Sequence, residues 1–450
     1  TPCGTLFPYT TLFRSRRRMK EHPKDSRVQA LLGFLDASPT PYHAAAAVAE
    51  RLESAGFAEH RRGERWDDSD DGRGFVRLGD GAVVAYDVRD ADVREGVTVL
   101  AAHTDSPALR VKERGASWRK GYLALPTEVY GGPILSTWTD RELRIAGRAV
   151  TRDGVVRLFR ADPTVIIPNV AIHLNRKVNE GFAYNAQDHL LALASAAAGT
   201  PDGSAIDTLG RIVADAAGTD PKDVAEYEAL LHDPAPSVVI GQDRSMFTSS
   251  RIDNLAGCFT SLEAFLGANS SRARVLALYN HEEVGSQTGE GAHSSAIESL
   301  VRRLVRRAGG DAEDESVAME RSTVVSNDAA HAMHPAYADK YDSDYAPVLG
   351  GGPVLKVNAM YRYATTASSA AAFAAACGAA GVSLQRLAGR SDMRSGSTVG
   401  PMTWARTGMQ TVDVGIPLLA MHSLRETGGS ADVDAMVAAL TAVLEGRGAA

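Results

Sequence analysis

Cysteine is scarce in this chain. Three occur in 450 residues, Cys3, Cys258 and Cys377. They exclude a disulfide framework and a cysteine-rich zinc site, and a reducing cytoplasm is the expected compartment. Positive charge is also short: 48 Lys and Arg face 55 Asp and Glu, a formal net charge of −7. That balance argues against a nucleic-acid partner, although it leaves room for a local basic patch. No run approaches the roughly 20 apolar residues that a membrane-spanning helix needs, so no membrane association is expected. No repeat recurs at solenoid periods. Three common chemical motifs are missing as well: the G-x-S-x-G nucleophile elbow, the Walker A loop, and a G-x-G-x-x-G opening a helix after a strand. Gly350-Gly351-Gly352 precedes a strand-like run and reads as a turn, not a phosphate cradle.

What is present suits a folded protein. Hydrophobic residues make up 44% and charged residues 23%, ordinary for a globular chain with a sizeable core. The length suggests two or three domains. Residues 1–18 are unlike the rest, with four Arg and no acid. A transit peptide shares that bias, but Pro2, Gly4 and Pro8 break the amphipathic helix it would need. The segment reads as a non-native or disordered leader, with Met19 as the native start.

Local signals then organise the chain. Thr40 is an N-cap candidate, Pro41 suits the first helical position and Gly56 the stop. Val83–Val88, Val97–Ala102, Val275–Tyr279, Thr323–Ser326, Pro353–Val357 and Val412–Val414 read as strands. Arg251–Phe265, Thr366–Ala380 and Ala431–Leu444 read as helices. Strands interleaved with helices predict an α/β fold whose mostly parallel sheet is covered on both faces. Between them, about 113–240 reads as an inserted β-rich domain, with the alternating run Glu142–Val150 and a hairpin signal at Asp153-Gly154. The expected division is 19–112 and 241–450 for the main domain, split by 113–240. Residues 195–225, rich in Ala, Gly, Asp and Thr, read as loop and short helices.

Four polar clusters directly follow strand-like runs: His103-Thr104-Asp105, Asn280-His281-Glu282-Glu283, Ser326-Asn327-Asp328 and Met421-His422-Ser423. A fifth, Arg251-Ile252-Asp253-Asn254, opens a helix. Doubly wound sheets gather ligands at such strand ends. Each cluster alone fits a bland role: a structural histidine, a solvated Glu pair, an Asp cap. Their conjunction points to a site. Imidazole with carboxylate suits Zn²⁺, and also Mn²⁺ or Co²⁺. A pair of ions needs a shared ligand, and Asp253 is the natural bridge. Each ion then takes one His and one further carboxylate. Asp253, Glu283 and Asp328 with one hydroxide balance two divalent charges. Glu282 is left free as general base for an attacking water, and Asp105 is placed to accept the second ring N–H of His103. His331 and His334 read as supporting or structural.

The same residues resemble a known family. The order HTDSP (103–107), SSRIDN (249–254), NHEEVGS (280–286), SNDAAHAMHP (326–335) and MHSLRE (421–426) is similar to that of the aspartyl aminopeptidases, which include vacuolar aminopeptidase I. SPTPYHA (38–44), YGGPILSTWTDRELRIAGR (130–148), IPNVAIHLNR (167–176) and GPVLKVNAMYRYAT (352–365) agree. The resemblance implies a dinuclear zinc exopeptidase acting on peptides with a free N-terminus, with an inserted dimerisation domain. It implies that His103, Asp253 and Asp328 hold one metal, that Asp253, Glu283 and His422 hold the other, that Glu282 is the base, and that Asp105 orients His103. Lys356 and Tyr363 match positions that contact an acidic substrate side chain. His173 matches a histidine that reaches a neighbouring subunit's site. Dimers assembled into dodecamers are implied too. Residues 195–225 and 1–18 have no recognisable counterpart. Two other readings stay open: a metal hydrolase without acidic preference, such as an amidohydrolase or leucine-type aminopeptidase, and a scaffold that assembles without cleaving.

Overall fold

Helix Pro41–Ser54 begins where local chemistry asks for it. Thr40 is extended, its hydroxyl accepts the His43 amide, and Pro41 occupies the first turn. Gly56, at φ 85°, ends the segment. The computed structural model describes residues 26–66, 71–89, 91–197 and 203–448; the leader expected at 1–18 lies outside them. Among the described residues no helix is long and apolar enough to cross a membrane.

The main sheet has nine strands in the order Ala58–His60, Arg73–Arg77, Val83–Asp87, Ala273–Tyr279, Val97–His103, Thr323–Asn327, Gln410–Gly415, Val354–Val357 and Gln385–Ala388. The four from Ala273–Tyr279 to Gln410–Gly415 run parallel. Val83–Asp87 and Val354–Val357 flank them antiparallel. Every residue of Val97–His103 and Ala273–Tyr279 is buried, as a sheet covered on both faces requires. One face packs on helices Ser26–Ala37, Pro41–Ser54, Ile252–Gly267, Ala367–Ala379 and Ser430–Leu444. The other packs on Ala296–Arg307, Ala312–Arg321 and Val399–Thr407. Leu100 in the central strand is fully buried, and truncating such a leucine to alanine costs about 2–5 kcal/mol.

A second, antiparallel sheet of seven strands takes in Ala108–Val111, Ser117–Arg119, Tyr122–Tyr130, Leu143–Thr151, Val156–Val165, Leu191–Ala196 and Val224–His232. The Asp153-Gly154 turn joins two of them as expected. The stretch read as loop and short helices carries one 13-residue helix, Ala205–Ala217. Its Ala205, Leu209, Val213 and Ala217 form a buried stripe against this sheet, and that packing outweighs its diluted composition. Arg148 of this sheet donates to Glu228 at 2.8 Å and lies over the Tyr42 ring, 4.4 Å from its centroid, tying the sheet to helix Pro41–Ser54. A third sheet, of five short strands, joins Val238–Ile240, Met246–Ser249, Glu426–Gly429, Pro417–Leu419 and Ala330–His331.

His43 and His232 carry a pH prediction. Burial, helped by Arg160 and Arg251, pushes the His43 imidazole down to about 3, and burial with Arg251 does the same to His232. Below the ordinary histidine value of 6.5 the unfolded chain takes up a proton that the fold excludes, so stability falls as pH drops toward 3. At about 1.4 kcal/mol per pH unit, wild type should lose about 2 kcal/mol more than His43→Gln between pH 7 and pH 5. Denaturant midpoints at the two pH values measure this, and parallel losses would refute it.

Candidate active site

The parallel strands end side by side. Tyr279 pairs with His103 in register, so Glu282 and Glu283 emerge beside it. Thr323–Asn327 ends at Asp328, whose N–H donates to the Val414 carbonyl at 2.8 Å. His422 follows the next strand by way of Pro417–Leu419. Asp253 lies in the first turn of Ile252–Gly267, but its backbone is non-helical (φ −78°, ψ 109°). Its carboxylate therefore faces the strand ends instead of capping the helix.

This brings the predicted metal residues together. Asp253 Oδ1 lies 3.6 Å from His103 Nε2, and its Oδ2 lies 3.4 Å from His422 Nε2. Asp328 Oδ1 is 3.8 Å from His103 Nε2, and Glu283 Oε1 is 3.3 Å from His422 Nε2. His103, Asp253 and Glu283 offer ligand atoms all within 4.8 Å of one another. Both imidazoles have committed their other nitrogen. His103 Nδ1 donates to the Asp105 carbonyl at 3.0 Å, and His422 Nδ1 to the Gly132 carbonyl at 3.1 Å. A neutral ring so tethered aims its Nε2 lone pair at carboxylates, an arrangement that needs a cation or a proton between them.

The electrostatics say the same. Burial would lower His103, but Asp105, Asp253 and Asp328 outweigh it and hold the ring well above its ordinary value. Burial also opposes protonation of His422, yet Asp253 and Glu283 lift it to about 11. Burial would raise Asp253, but the two histidines hold it below the carboxylate range. Asp253 Oδ1 and Glu283 Oε1 are buried with no hydrogen-bond donor. Unpaired buried carboxylate oxygens are costly, and a bound cation is the group this donor set accepts. The residues therefore fit a metal.

Glu282 stands apart from this pairing. It lies 4.0 Å from His103 Nε2, and burial, reinforced by Asp328 and Glu283, pushes its carboxyl up to about 9. The Asp105 carboxylate is only 3.4 Å from His103 Nδ1. The ring N–H goes first to the Asp105 backbone carbonyl, because the carboxylate accepts the Glu282 and Glu283 amides, each at 3.1 Å, and the Tyr130 hydroxyl at 2.7 Å. Buried Lys356 places Nζ 3.8 Å from Asp328 Oδ1 and 5.3 Å from the Tyr363 ring centroid. Burial would lower its ammonium, but Asp328 outweighs that and keeps it charged. His173 is exposed, and among the described residues no hydrogen bond or ion pair ties it to the centre. His334 accepts the Ala336 amide at 3.2 Å, capping a short turn.

Sequence reading missed Glu426. It is buried, accepts the Asp253 amide at 3.0 Å and the His422 amide at 2.8 Å, and is pushed up to about 8 by burial and Asp253. Its place four residues after His422 was the available signal. Tyr130, Gly131 and Gly132 were also missed as neighbours of the centre; only the double glycine hinted at close backbone approach.

Residues 34–443 match the family described as aminopeptidase I zinc metalloprotease (M18). The probable M18 family aminopeptidase 2 of Stutzerimonas stutzeri (strain A1501) is 41% identical over 431 residues, covering 93% of this chain and 98% of that protein. The one from Ectopseudomonas mendocina (strain ymp) is 40% identical over 424 residues, covering 93% and 98%. A cryo-EM structure of the Ape4 and Nbr1 complex superposes with a TM-score of 0.89 at 32% identity, covering 94% of this chain and 86% of that one. The S. cerevisiae mApe1 dodecamer superposes with a TM-score of 0.78 at 23% identity, covering 93% and 96%, a likeness of fold.

Proposed function

The chain belongs to the M18 family of zinc metalloaminopeptidases, and from that premise we propose that it removes N-terminal residues, preferring Asp or Glu, with two Zn²⁺ in one centre. The carrying observation is the division of Asp253, one oxygen toward His103 and the other toward His422. His103, Asp253 and Asp328 would hold one ion, and Asp253, Glu283 and His422 the other. When bound there, such ions polarise the scissile carbonyl and acidify a water. Glu282, 4.0 Å from His103 Nε2, takes the proton of the attacking water and returns it to the departing amine. Asp105 and the Gly132 carbonyl keep both imidazoles in the tautomer that leaves Nε2 free. Lys356, charged and buried beside Tyr363, receives the acidic side chain of the substrate.

Assembly belongs to the proposal. The segment around His173 exposes Val170, Ile172 and Leu174, the last at 80%, a surface suited to a second copy. We take the seven-stranded sheet as the dimerisation unit, and a dodecamer, as in the mApe1 structure, as the assembled form. Two buried free cysteines, Cys258 and Cys377, suit cytoplasmic residence.

A panel of substrates differing only in the N-terminal residue, assayed with chelator and after Zn²⁺ re-addition, tests the reading. Cleavage should vanish with chelator and return with Zn²⁺. Lys356→Ala should lower kcat/KM on N-terminal Asp by about 10- to 100-fold, the worth of a hydrogen bond to a charged group, and leave N-terminal Leu within a few-fold. Equal losses would favour the second reading, a neutral-residue aminopeptidase, which gains support from Asp328 already engaging Lys356 at 3.8 Å.

A further inference from the structure

The turn that carries Glu282 is held partly by its own Glu283, whose side chain is 4% exposed and 3.3 Å from His422, and partly from outside. Glu282–Val284 is a single 3-10 turn with none of its three residues fully buried, and Val284 is 50% exposed. Left-handed residues flank it, His281 at φ 66° and Gly285 at φ 98°. Its amides at Glu282 and Glu283 leave the turn to reach Asp105 Oδ1 and Oδ2, both at 3.1 Å. Asp105 is thus the shared acceptor of both amides, and where it sits bears directly on where Glu282 sits.

Asp105 is held from the second sheet. Strand Tyr122–Tyr130 runs out toward the centre, and Tyr130 Oη donates to Asp105 Oδ2 at 2.7 Å. The next two residues touch metal candidates. Gly131 has φ 70°, and a Cβ there would lie 3.1 Å from Glu283 Cβ and 3.3 Å from Glu283 Oε2, so a side chain would be both strained and crowded. The Gly132 carbonyl accepts the His422 ring N–H at 3.1 Å. Three consecutive residues thus reach the base's anchor, one carboxylate and one imidazole.

We propose that Tyr130-Gly131-Gly132 is a positioning clamp supplied by the second sheet, in which Tyr130 sets the Glu282 carboxylate by way of Asp105. The inference rests on the reading of Glu282 as general base. A phenol donating to a buried carboxylate forms a strong, short bond, and it occupies acceptor capacity that Asp105 would otherwise turn toward His103 or water. Without it Asp105 rotates, the two amides lose their acceptor geometry, and the base drifts from the attacking water. Substrate binding through Lys356 is untouched, so the loss falls on kcat.

Tyr130→Phe removes one oxygen and keeps the ring. Its kcat is expected to fall about 10- to 100-fold, the usual effect of removing a partner that orients an active-site group. KM and zinc content should stay within twofold and the thermal midpoint within a few degrees. Added to Glu282→Gln, the same change should cause no further loss, since it acts through the missing carboxylate. Amide hydrogen exchange supplies a readout independent of activity: the Glu282 and Glu283 amides should exchange faster in Tyr130→Phe. An unchanged kcat, an equal loss in the Glu282→Gln background, or unchanged exchange would overturn the clamp. Absence of peptidase activity in the wild type would instead defeat the proposed function, and exchange alone would then judge the clamp.

Discussion

Glu282→Gln is expected to lower kcat by about 10²- to 10⁴-fold, the range attributed to a positioned general base, with the zinc content of wild type. The side chain keeps its shape and loses only its capacity to take a proton. None of the close contacts within the cluster depends on it: Asp253, Asp328, Glu283 and the two histidines meet one another directly. Glu282 reaches His103 only at 4.0 Å. Burial pushes its carboxyl above the ordinary carboxylate range, the direction that moves a general base's proton affinity toward the working pH. Steady-state kinetics at saturating peptide and elemental analysis of the same sample decide the matter. Near-normal turnover would move the base to another residue, and loss of zinc would make Glu282 a ligand.

The second large effect is expected at Asp253→Asn. An amide presents one oxygen and one NH₂ group, and the NH₂ nitrogen has no lone pair to offer a cation. If Asp253 joins both ions, its loss should cost both, taking zinc below one per chain and turnover below about one-thousandth of wild type. Asp328→Asn and Glu283→Gln should each cost one ion. Stability provides a check free of activity. A bound ion stabilises the fold by mass action, about 4 kcal/mol at a thousandfold excess over Kd, so chelator should lower the wild-type thermal midpoint and leave that of Asp253→Asn unmoved. A variant that retained two ions and a chelator-sensitive midpoint would show that Asp253 is not shared.

Much of this protein is written locally. Thr40 and Pro41 start a helix because a capping hydroxyl and a preset φ act within one turn. The runs at 97–102, 275–279 and 323–326 become central strands because continuous apolar sequence is stable only inside a covered sheet. Polar residues directly after such runs land at one end of a parallel sheet, and so sequence position alone brings His103, Glu282, Glu283, Asp328 and His422 to one place. The family follows from the same motifs. Other elements left weaker traces. Helix Ala205–Ala217 hides its stripe of Leu209 and Val213 among Ala, Gly and Asp. The short strands of the third sheet, including Glu426–Gly429 with its two glycines, have too little length for a periodic signal.

Local chemistry thus chose the helices, the buried strands and the kinds of polar side chain at their ends. The folded chain alone decided which groups hold those side chains in place. Tyr130 reaches Asp105 from the end of a strand in the seven-stranded sheet, the Gly132 carbonyl meets His422 across 290 positions of sequence, and Glu426 meets the amide of Asp253 across 173. A hydrogen bond between distant segments requires both backbones to be placed within a few tenths of an ångström. No pattern within either segment encodes that placement; it emerges when the two sheets close on each other.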